Sequence, residues 1–343
     1  MPSSRTASPD PIDDLLTEGE LASSPRSALS RGRKREPSEP KLKPRVIEPQ
    51  RARRVAKSRV EIIRASGWEA WPWLIHGFST RTGGITTAYR PDQRSGELNL
   101  GFTDTDTREN VIENRRRFLK ALGAPVDMKL VTLKQIHSSS VLTVGEHELA
   151  PSCQGDGLMT NQPGILLAIQ TADCIPVLVA DVRKKAVAAF HAGWRGTVKR
   201  IVESGVGKMR VAFRSRPEDL VAAIGPGIAA CCYAVGEDVR SEFGSQFSYA
   251  ADLFHEVSDS DPVRQKYPML FLTARAPGHS NLGPSLHLDL MEANRRQLLD
   301  AGLRAESIMV VGDCTRCQSN RYFSYRTEQG FTGRMLSVVG IRG

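Results

Sequence analysis

The chain has 343 residues, 40% of them hydrophobic, which is enough for one large domain or two small ones with a packed core. No stretch approaches the roughly 20 consecutive apolar residues that cross a bilayer, and no secretory signal is evident, so we expect a cytoplasmic protein without membrane spans. Of the net charge of +9, residues 1–60 carry +6 (14 Lys/Arg against 8 Asp/Glu), and RNA-recognition patterns are absent, so no nucleic-acid partner is expected.

Residues 1–57 form a basic leader that is rich in Ser, Pro, Arg and Glu and has almost no aromatic or β-branched residues. Such a composition buries too little apolar surface to offset the entropy lost on ordering, which predicts a disordered segment. We therefore expect one catalytic domain over residues 58–343.

From about residue 60 onward, the hydrophobic pattern alternates between strands and helices, which predicts an α/β fold. The predicted elements are, in chain order, strands at Val60–Ala65 and His76–Thr80, a helix at Glu109–Leu122, a long strand or hairpin at Lys129–Val144, an apolar run at Ile165–Ala180 interrupted at Gln170–Cys174, a strand at Ala186–His191, a helix at Thr197–Phe213, a strand at Asp219–Ile224, helices at Gly236–Phe243 and Leu286–Ala301, and a strand at Ile308–Val311. The weakly patterned segment Gly244–Pro284 predicts a surface excursion, with Thr273–Pro284 as a mobile loop.

The chain contains six cysteines, at positions 153, 174, 231, 232, 314 and 317. Disulfides are not implied without a secretory signal, so metal ligation and catalysis are the relevant questions for these thiols. The pair Cys314 and Cys317 lacks a second CxxC pair and nearby histidines, which favours a structural role over a metal site. The same reading applies to the adjacent Cys231 and Cys232.

The first candidate for chemistry is His137, which ends the segment Lys134-Gln135-Ile136-His137 on a predicted strand. The second is Cys174, at a polar break in a buried apolar run. Burying the neighbouring Asp173 without partners would cost about 1–3 kcal/mol, so the break should serve a purpose. A hydrogen-bonded structural histidine and an inert buried thiol are the alternative readings.

The third candidate is His191, which an apolar strand delivers to its carboxyl end, where ligands gather in open α/β sheets. Gly193 and Gly196 then turn the chain into a helix whose free N–H groups suit an anion such as phosphate. Arg195 would add a bidentate clamp. The alternative is a tight strand–helix connection with Trp194 as packing.

Together, His137, Cys174 and His191 make a ligand set suited to zinc or copper, with a fourth position left open for water or substrate. The same residues also suit a metal-free Cys-His hydrolase or amidase on a peptide-like or cell-wall precursor, with Cys174 as nucleophile and His191 as base. A zinc-stabilised binding module without turnover is a third reading. Spacing in the sequence does not separate the metal centre from the metal-free Cys-His pair, and both require Cys174.

Several further motifs bear on the family. They are His76-Gly77-Phe78-Ser79-Thr80-Arg81, Leu98-Asn99-Leu100-Gly101, Gly155-Asp156-Gly157-Leu158, Thr171-Ala172-Asp173-Cys174, Ile224-Gly225-Pro226, Cys231-Cys232-Tyr233, Phe323-Ser324-Tyr325-Arg326 and Thr332-Gly333-Arg334-Met335. In this order, with the three segments above, they resemble the laccase-domain (YfiH-like) family, also called multicopper polyphenol oxidases of the purine nucleoside phosphorylase type. The resemblance implies a three-layer α/β domain with a mixed sheet, and one zinc ion held by His137, Cys174 and His191.

The resemblance also implies phosphorolysis of adenosine, inosine and methylthioadenosine, together with adenosine deamination, so a purine nucleoside and phosphate are the expected partners. A polyphenol oxidase using copper is an alternative, but no further His-rich motif is seen for a copper cluster. We expect Cys174, Asp173 and His191 to be catalytic, with Asp173 moving protons or orienting a histidine. The residues expected to bind substrate are Ser79, Arg81, Gly193, Arg195 and Gly196.

Overall fold

The structure is a computed structural model, and it describes four ranges of the chain: residues 59–90, 95–145, 153–257 and 285–343. The predicted leader and the predicted mobile loop at 273–284 lie outside the described residues. Within the described ranges, no helix is both long and apolar enough to cross a membrane.

The bounds of the elements follow the alternation that the hydrophobic pattern predicts. In chain order the strands are β1 (Ile62–Ile63), β2 (Leu74–Ser79), β3 (Thr82–Thr86), β4 (Lys129–Val131), β5 (Val141–Thr143), β6 (Gly157–Thr160), β7 (Ile165–Thr171), β8 (Ile175–Asp181), β9 (Ala186–Ala192), β10 (Leu220–Ile224), β11 (Phe254–Val257), β12 (Ser285–Leu288), β13 (Ile308–Val310) and β14 (Met335–Ile341). The α-helices are α1 (Arg108–Leu122), α2 (Trp194–Val198), α3 (Ile201–Phe213), α4 (Glu237–Gln246) and α5 (Leu290–Asp300).

The strands form two larger sheets and one two-stranded ribbon. The first sheet has the order β1-β2-β14-β7-β4 and the second the order β13-β10-β8-β9-β6-β5, while β11 pairs with β12. Most neighbours are antiparallel, but β4–β7, β5–β6 and β10–β13 are parallel. The predicted α/β class with mixed pairing is confirmed. One detail differs, because the β layer consists of two sheets where the sequence predicted one.

The two sheets stack face to face, and helices cover their outer faces. A core between the sheets includes Phe78 from the first and Leu178 from the second. Helix α1 packs Phe118 on the outer face of the first sheet. Helices α3, α4 and α5 cover the outer face of the second sheet, where Phe190 and Phe243 are fully buried. Central strands are therefore buried on both faces, which explains their nearly continuous apolar sequences.

The prediction of a long strand or hairpin at 129–144 was wrong, because β4 and β5 belong to different sheets. Between them, the side-chain amide of Gln135 takes the place of a strand: it donates to the Gln170 carbonyl and accepts from the Gln170 N–H, both at 2.8 Å. His137 then adopts a positive φ of 55° and so lies on a turn, not on the predicted strand.

Two predicted helices were also too long. The helix predicted at 197–213 is two helices, α2 and α3, because Arg200 between them takes a left-handed φ of 58°. The segment predicted as helix 286–301 begins as strand β12, and the helix starts only after Asp289, whose side chain accepts the backbone N–H of Glu292 at 2.9 Å. This is the hydrogen bond of a helix N-cap, which ends the strand and fixes the helix start.

Strands β3, β6, β11, β12 and β14 were not predicted. The most consequential is β14, which lies between β2 and β7 at the centre of the first sheet. Its partners are distant in sequence, so local pattern carries little of the information that makes it a strand. Part of the segment predicted as a surface excursion, 244–284, also forms regular structure, since it contains the end of α4 and all of β11.

Helix α3 offers a test of how tightly the second sheet is packed. A Cβ on Gly205 would lie 2.4 Å from a ring carbon of buried Phe190, whereas a Cβ on Gly207 would meet nothing within 4 Å. We expect Gly205→Ala to lower the free energy of unfolding by about 1–3 kcal/mol through overpacking. The control Gly207→Ala should raise it by up to about 1 kcal/mol, because alanine favours helix. Urea unfolding measures both, and equal effects would contradict the packing described here.

Candidate active site and metal centre

The structure brings His137, Cys174 and His191 together, although they are far apart in sequence. One ligand-type atom from each lies within 4.8 Å of the others. The Cys174 Sγ is 3.8 Å from His137 Nε2, and the two imidazole rings meet edge to face with centroids 4.9 Å apart. Two imidazoles and one thiolate therefore face a common point.

The stacked sheets explain this convergence. Strand β7 belongs to the first sheet and β8 to the second, so the three residues Ala172–Cys174 carry the chain from one sheet to the other. The segment that holds His137 makes a second crossing, from β4 to β5. His191 lies near the end of β9, opposite Pro176 at the start of β8. The site thus forms where the chain changes sheets.

The carboxylate of Asp156 holds both histidines in place from a fully buried position. It accepts a hydrogen bond from His191 Nδ1 at 2.8 Å and from the backbone N–H of His137 at 3.0 Å. It also accepts the backbone N–H and the hydroxyl of Ser138, at 2.6 and 2.7 Å. Burial alone would raise the pKa of Asp156, but these donors and His191 lower it to about 2. The ionised carboxylate fixes the His191 proton on Nδ1 and leaves Nε2 available as a ligand.

Charge pairing dominates the electrostatics of Cys174 and His191. Burial raises the pKa of the thiol, but the attraction of His191 and hydrogen bonds from His137 and His191 outweigh it and lower the pKa to about 6. Burial lowers the pKa of His191, but the Cys174 thiolate and Asp156 outweigh it and raise the pKa to about 9. In the metal-free protein the pair is therefore thiolate and imidazolium at neutral pH.

Gly193 and Gly196 make room for this centre at the start of α2. A Cβ on Gly193 would lie 3.0 Å from both Cys174 Sγ and His137 Cδ2, so only glycine leaves the ligand atoms unobstructed. Gly196 lies inside α2, not before the helix as predicted, and a Cβ there would lie 3.0 Å from the Ser138 carbonyl oxygen. Their contact with phosphate stays a prediction.

Asp173 lies beside Cys174 but does not hold a histidine. Its carboxylate accepts the Thr315 hydroxyl at 2.6 Å and the backbone N–H of Arg326 at 2.7 Å. Asp173 also adopts a positive φ of 94°, an unusual conformation for a residue with a side chain. The prediction that Asp173 orients a histidine was wrong, because Asp156 does so. Its role as an acid or base stays a prediction.

Ser79 and Arg81, both predicted to contact substrate, are occupied within the protein. The Ser79 hydroxyl accepts the backbone N–H of Leu336 at 2.9 Å. Arg81 is 2% exposed and forms ion pairs with Glu97 at 2.5 Å and Glu328 at 2.9 Å. These contacts tie distant segments of the chain together. A substrate contact by either residue stays a prediction.

Two arginines, Arg195 in α2 and Arg334 just before β14, lie on segments that border the centre. Arg195 is two residues after Gly193 and lies over the Trp194 ring, 4.5 Å from its centroid. Arg334 feels the charge of Cys174: burial lowers the pKa of Arg334, while Tyr89 and Cys174 act in the opposite direction. Arg334 and Asp156 both lie within family motifs, but the sequence predicted no role for either residue. A charged residue between glycines, as in Gly155-Asp156-Gly157, was the available signal for Asp156.

Comparison with known proteins identifies the family. The family described as multi-copper polyphenol oxidoreductase laccase matches residues 75–342, which include every residue of the centre. The chain belongs to this family. The resemblance stated from the sequence motifs is thereby confirmed.

Members of the laccase family with curated names support an enzymatic role. A protein of Geobacillus stearothermophilus named purine nucleoside phosphorylase YlmD is 33% identical over 287 residues, covering 80% of this chain and 96% of the relative. A purine nucleoside phosphorylase of Deinococcus radiodurans is 38% identical over 267 residues, covering 78% and 88%. The crystal structure of the hypothetical protein YfiH of Bacillus licheniformis superposes with a TM-score of 0.67 at 28% identity, covering 82% and 96%.

The hydrogen bonds of Asp156 to both histidines predict that metal affinity depends strongly on this carboxylate. We expect Asp156→Asn to weaken metal binding about 10- to 100-fold, because an amide cannot accept all the donors that hold His137 and His191. Competition with a chromophoric chelator measures the affinity. The matched control is Asp181→Asn: Asp181 is also fully buried, but it accepts the N–H groups of Arg183 and Lys184 in the β8–β9 turn. Equal loss in both variants would contradict the assignment.

The lowered pKa of Cys174 predicts the pH dependence of its reactivity in metal-free protein. The thiolate form prevails above a pKa of about 6, so alkylation by iodoacetamide should rise through pH 6 and level off before pH 8. The imidazolium that stabilises the thiolate is lost only above a pKa of about 9. Mass spectrometry of the labelled peptide gives the rate. A midpoint near the ordinary thiol value of about 8.5 would contradict the thiolate–imidazolium pair.

Proposed function

We propose that this protein is a purine nucleoside phosphorylase whose centre is formed by His137, Cys174 and His191. The observation that carries the proposal is that relatives with this name align over 78–80% of the chain and most of their own length. The convergence of three ligand-type side chains supports it independently.

The residues present fit a metal ion. His191 is oriented by Asp156 with Nε2 available, Cys174 lies 3.8 Å from His137 Nε2, and Gly193 leaves the ligand atoms unobstructed. Three protein ligands leave one position open, as catalytic zinc sites require. When bound, the metal supplies Lewis-acid polarisation of a ligand in that position.

We propose zinc as the metal. Thiolate and imidazole ligands suit it, and phosphorolysis involves no change of oxidation state. Copper-based polyphenol oxidation would need further copper ligands of the histidine type. Within the described ranges, the other group of clustered metal-type side chains consists of four cysteines and contains no histidine.

The protein side of the reaction is chiefly the binding and orientation of two substrates. In phosphorolysis, a phosphate oxygen attacks the sugar carbon that bears the base, and the purine departs. We propose that Arg195, in α2, and Arg334, whose pKa responds to Cys174, hold the phosphate by charge-assisted hydrogen bonds. Asp173 holds Thr315 and Arg326 against the crossing between the sheets, which gives it at least a positioning role.

We propose adenosine, inosine and methylthioadenosine as substrates because they share a purine and a ribose ring at which the same displacement occurs. Deamination of adenosine is proposed as a second activity of the same centre, in which water attacks the amino-bearing carbon of the purine ring and ammonia departs. Both activities depend on Cys174. They differ in their requirement for phosphate, which makes them separable in one assay.

A metal-free Cys-His hydrolase or amidase is the second candidate, and one contact favours it. His191 bonds Asp156 at 2.8 Å and is charge-paired with Cys174, so the three form a Cys-His-Asp arrangement like that of covalent hydrolases. Activity that survives complete metal removal, with loss on alkylation of Cys174, would favour this candidate.

The test is incubation of zinc-loaded protein with adenosine, with and without phosphate, while adenine and inosine are measured separately. We expect adenine only with phosphate, and inosine in both cases. Cys174→Ala should reduce both products at least 100-fold, because it removes a ligand. Cys153→Ser, at a partly buried cysteine in the core between the sheets, should leave both unchanged. Absence of adenine with phosphate, or normal turnover by Cys174→Ala, would refute the proposal.

A further inference from the structure

Four cysteines outside the proposed active centre form a second cluster. Cys231 and Cys232 follow β10, and Cys314 and Cys317 follow β13. Strands β10 and β13 are parallel neighbours, so both segments leave the second sheet at the same edge. The four sulfur atoms lie within 4.8 Å of one another. From the sequence, a metal site at Cys314 and Cys317 was disfavoured because no second CxxC pair was present. The structure brings Cys231 and Cys232 next to them and so supplies a second pair of cysteines.

The sulfur separations match a metal site better than a disulfide. The Cys317 Sγ lies 3.4 Å from the sulfur of Cys232 and 3.5 Å from that of Cys231. A disulfide bond is about 2.05 Å long. In a tetrahedral zinc site with Zn–S bonds of about 2.3 Å, neighbouring sulfurs are about 3.8 Å apart.

The surroundings of the cluster also suit bound thiolates. The backbone N–H of Ala229 points at the Cys314 sulfur, at 3.5 Å. The guanidinium of Arg316 donates to the Cys232 carbonyl at 3.2 Å, which places a positive charge beside the sulfurs. Four thiolates around one divalent cation carry a net charge of −2, which a nearby arginine and an N–H donor would partly offset.

We propose that Cys231, Cys232, Cys314 and Cys317 bind one zinc ion in a closed site, separate from the centre at Cys174. Four protein ligands leave no open position, so the role of this ion is structural. Two short segments, which the sequence separates by more than eighty residues, become one cross-linked unit when the ion binds.

This unit lies against the proposed active centre. Thr315, between two of the ligands, donates its hydroxyl to Asp173 at 2.6 Å and its backbone N–H to the Gly227 carbonyl at 3.0 Å. The backbone N–H of Ile228 donates to the Asp173 carbonyl at 2.8 Å. The residue preceding Cys174 is therefore held from both cysteine-bearing segments. The second ion would therefore hold in place the segments that bond to Asp173, the residue next to the Cys174 thiol.

The test is the number of metal ions per chain, measured by elemental analysis of protein prepared with zinc and a reductant. We expect two zinc ions in the wild type, one in Cys317→Ser and one in His137→Ala/His191→Ala. The control Cys153→Ser should keep two. A wild-type count of one that is lost only in Cys317→Ser would support this site and refute the proposed active centre. A Cys317→Ser variant that keeps the wild-type count would overturn the second site.

A second measurement does not depend on the folding of Cys317→Ser. Cys174→Ala, substituted with cobalt, should retain strong thiolate-to-cobalt absorption, because four of the five thiolate ligands belong to the second site. Loss of that absorption would overturn the proposal. Denatured, unreduced wild-type protein should show all six thiols after chelation. A count of four, which indicates a disulfide within the cluster, would also overturn it.

Discussion

The buried carboxylate of Asp156 is the interaction on which the rest of the centre depends. It bonds the ring of His191 and the backbone of His137, so one charged group sets the position of two candidate ligands. Neither contact is local in sequence, since Asp156 is nineteen residues from the first histidine and thirty-five from the second. Isolating an ionised carboxylate from water is costly unless donors surround it, and five donors do so here, from His191, Ser138 and the backbone of residues 136–138. The charged carboxylate is therefore stable in the core only because these donors surround it.

The two stacked sheets give this carboxylate its setting. Each sheet is held by its own strand pairing, and the core between them is apolar. Chain segments that pass from one sheet to the other interrupt that core, and there the backbone cannot continue a ladder. Polar residues such as Asp173 satisfy the exposed backbone and each other at these crossings. Chemistry and chain topology therefore coincide, because the segments that pass between the two sheets also carry His137 and Cys174.

The sequence predicted much of the fold and the three converging side chains, for identifiable reasons. Apolar runs buried on both faces, such as β8 and β9, carry a strong signal, and the polar break at Cys174 stands out between the apolar strands β7 and β8. The sequence did not predict β14 or the role of Asp156, because both depend on partners that are remote along the chain. The sequence also did not show that the two cysteine pairs meet, because only the pairing of β10 with β13 brings them together. One continuous helix was predicted over residues 197–213 because an arginine such as Arg200 gives no sequence signal for a left-handed backbone.

The two ends of the β8–β9 hairpin differ in how well they should tolerate an insertion. Strand β8 begins next to Cys174 and ends seven residues later at a turn whose residues Arg183–Lys185 are exposed, about 20 Å away. Asp181 closes that turn by accepting two backbone N–H groups, and the Asp219 carbonyl accepts the backbone N–H of Val182 at 3.1 Å. An affinity tag or fluorophore inserted there would meet solvent, whereas one extra residue at 172–174 would shift the thiol relative to both sheets. The hairpin tip is thus a natural attachment point for surface immobilisation.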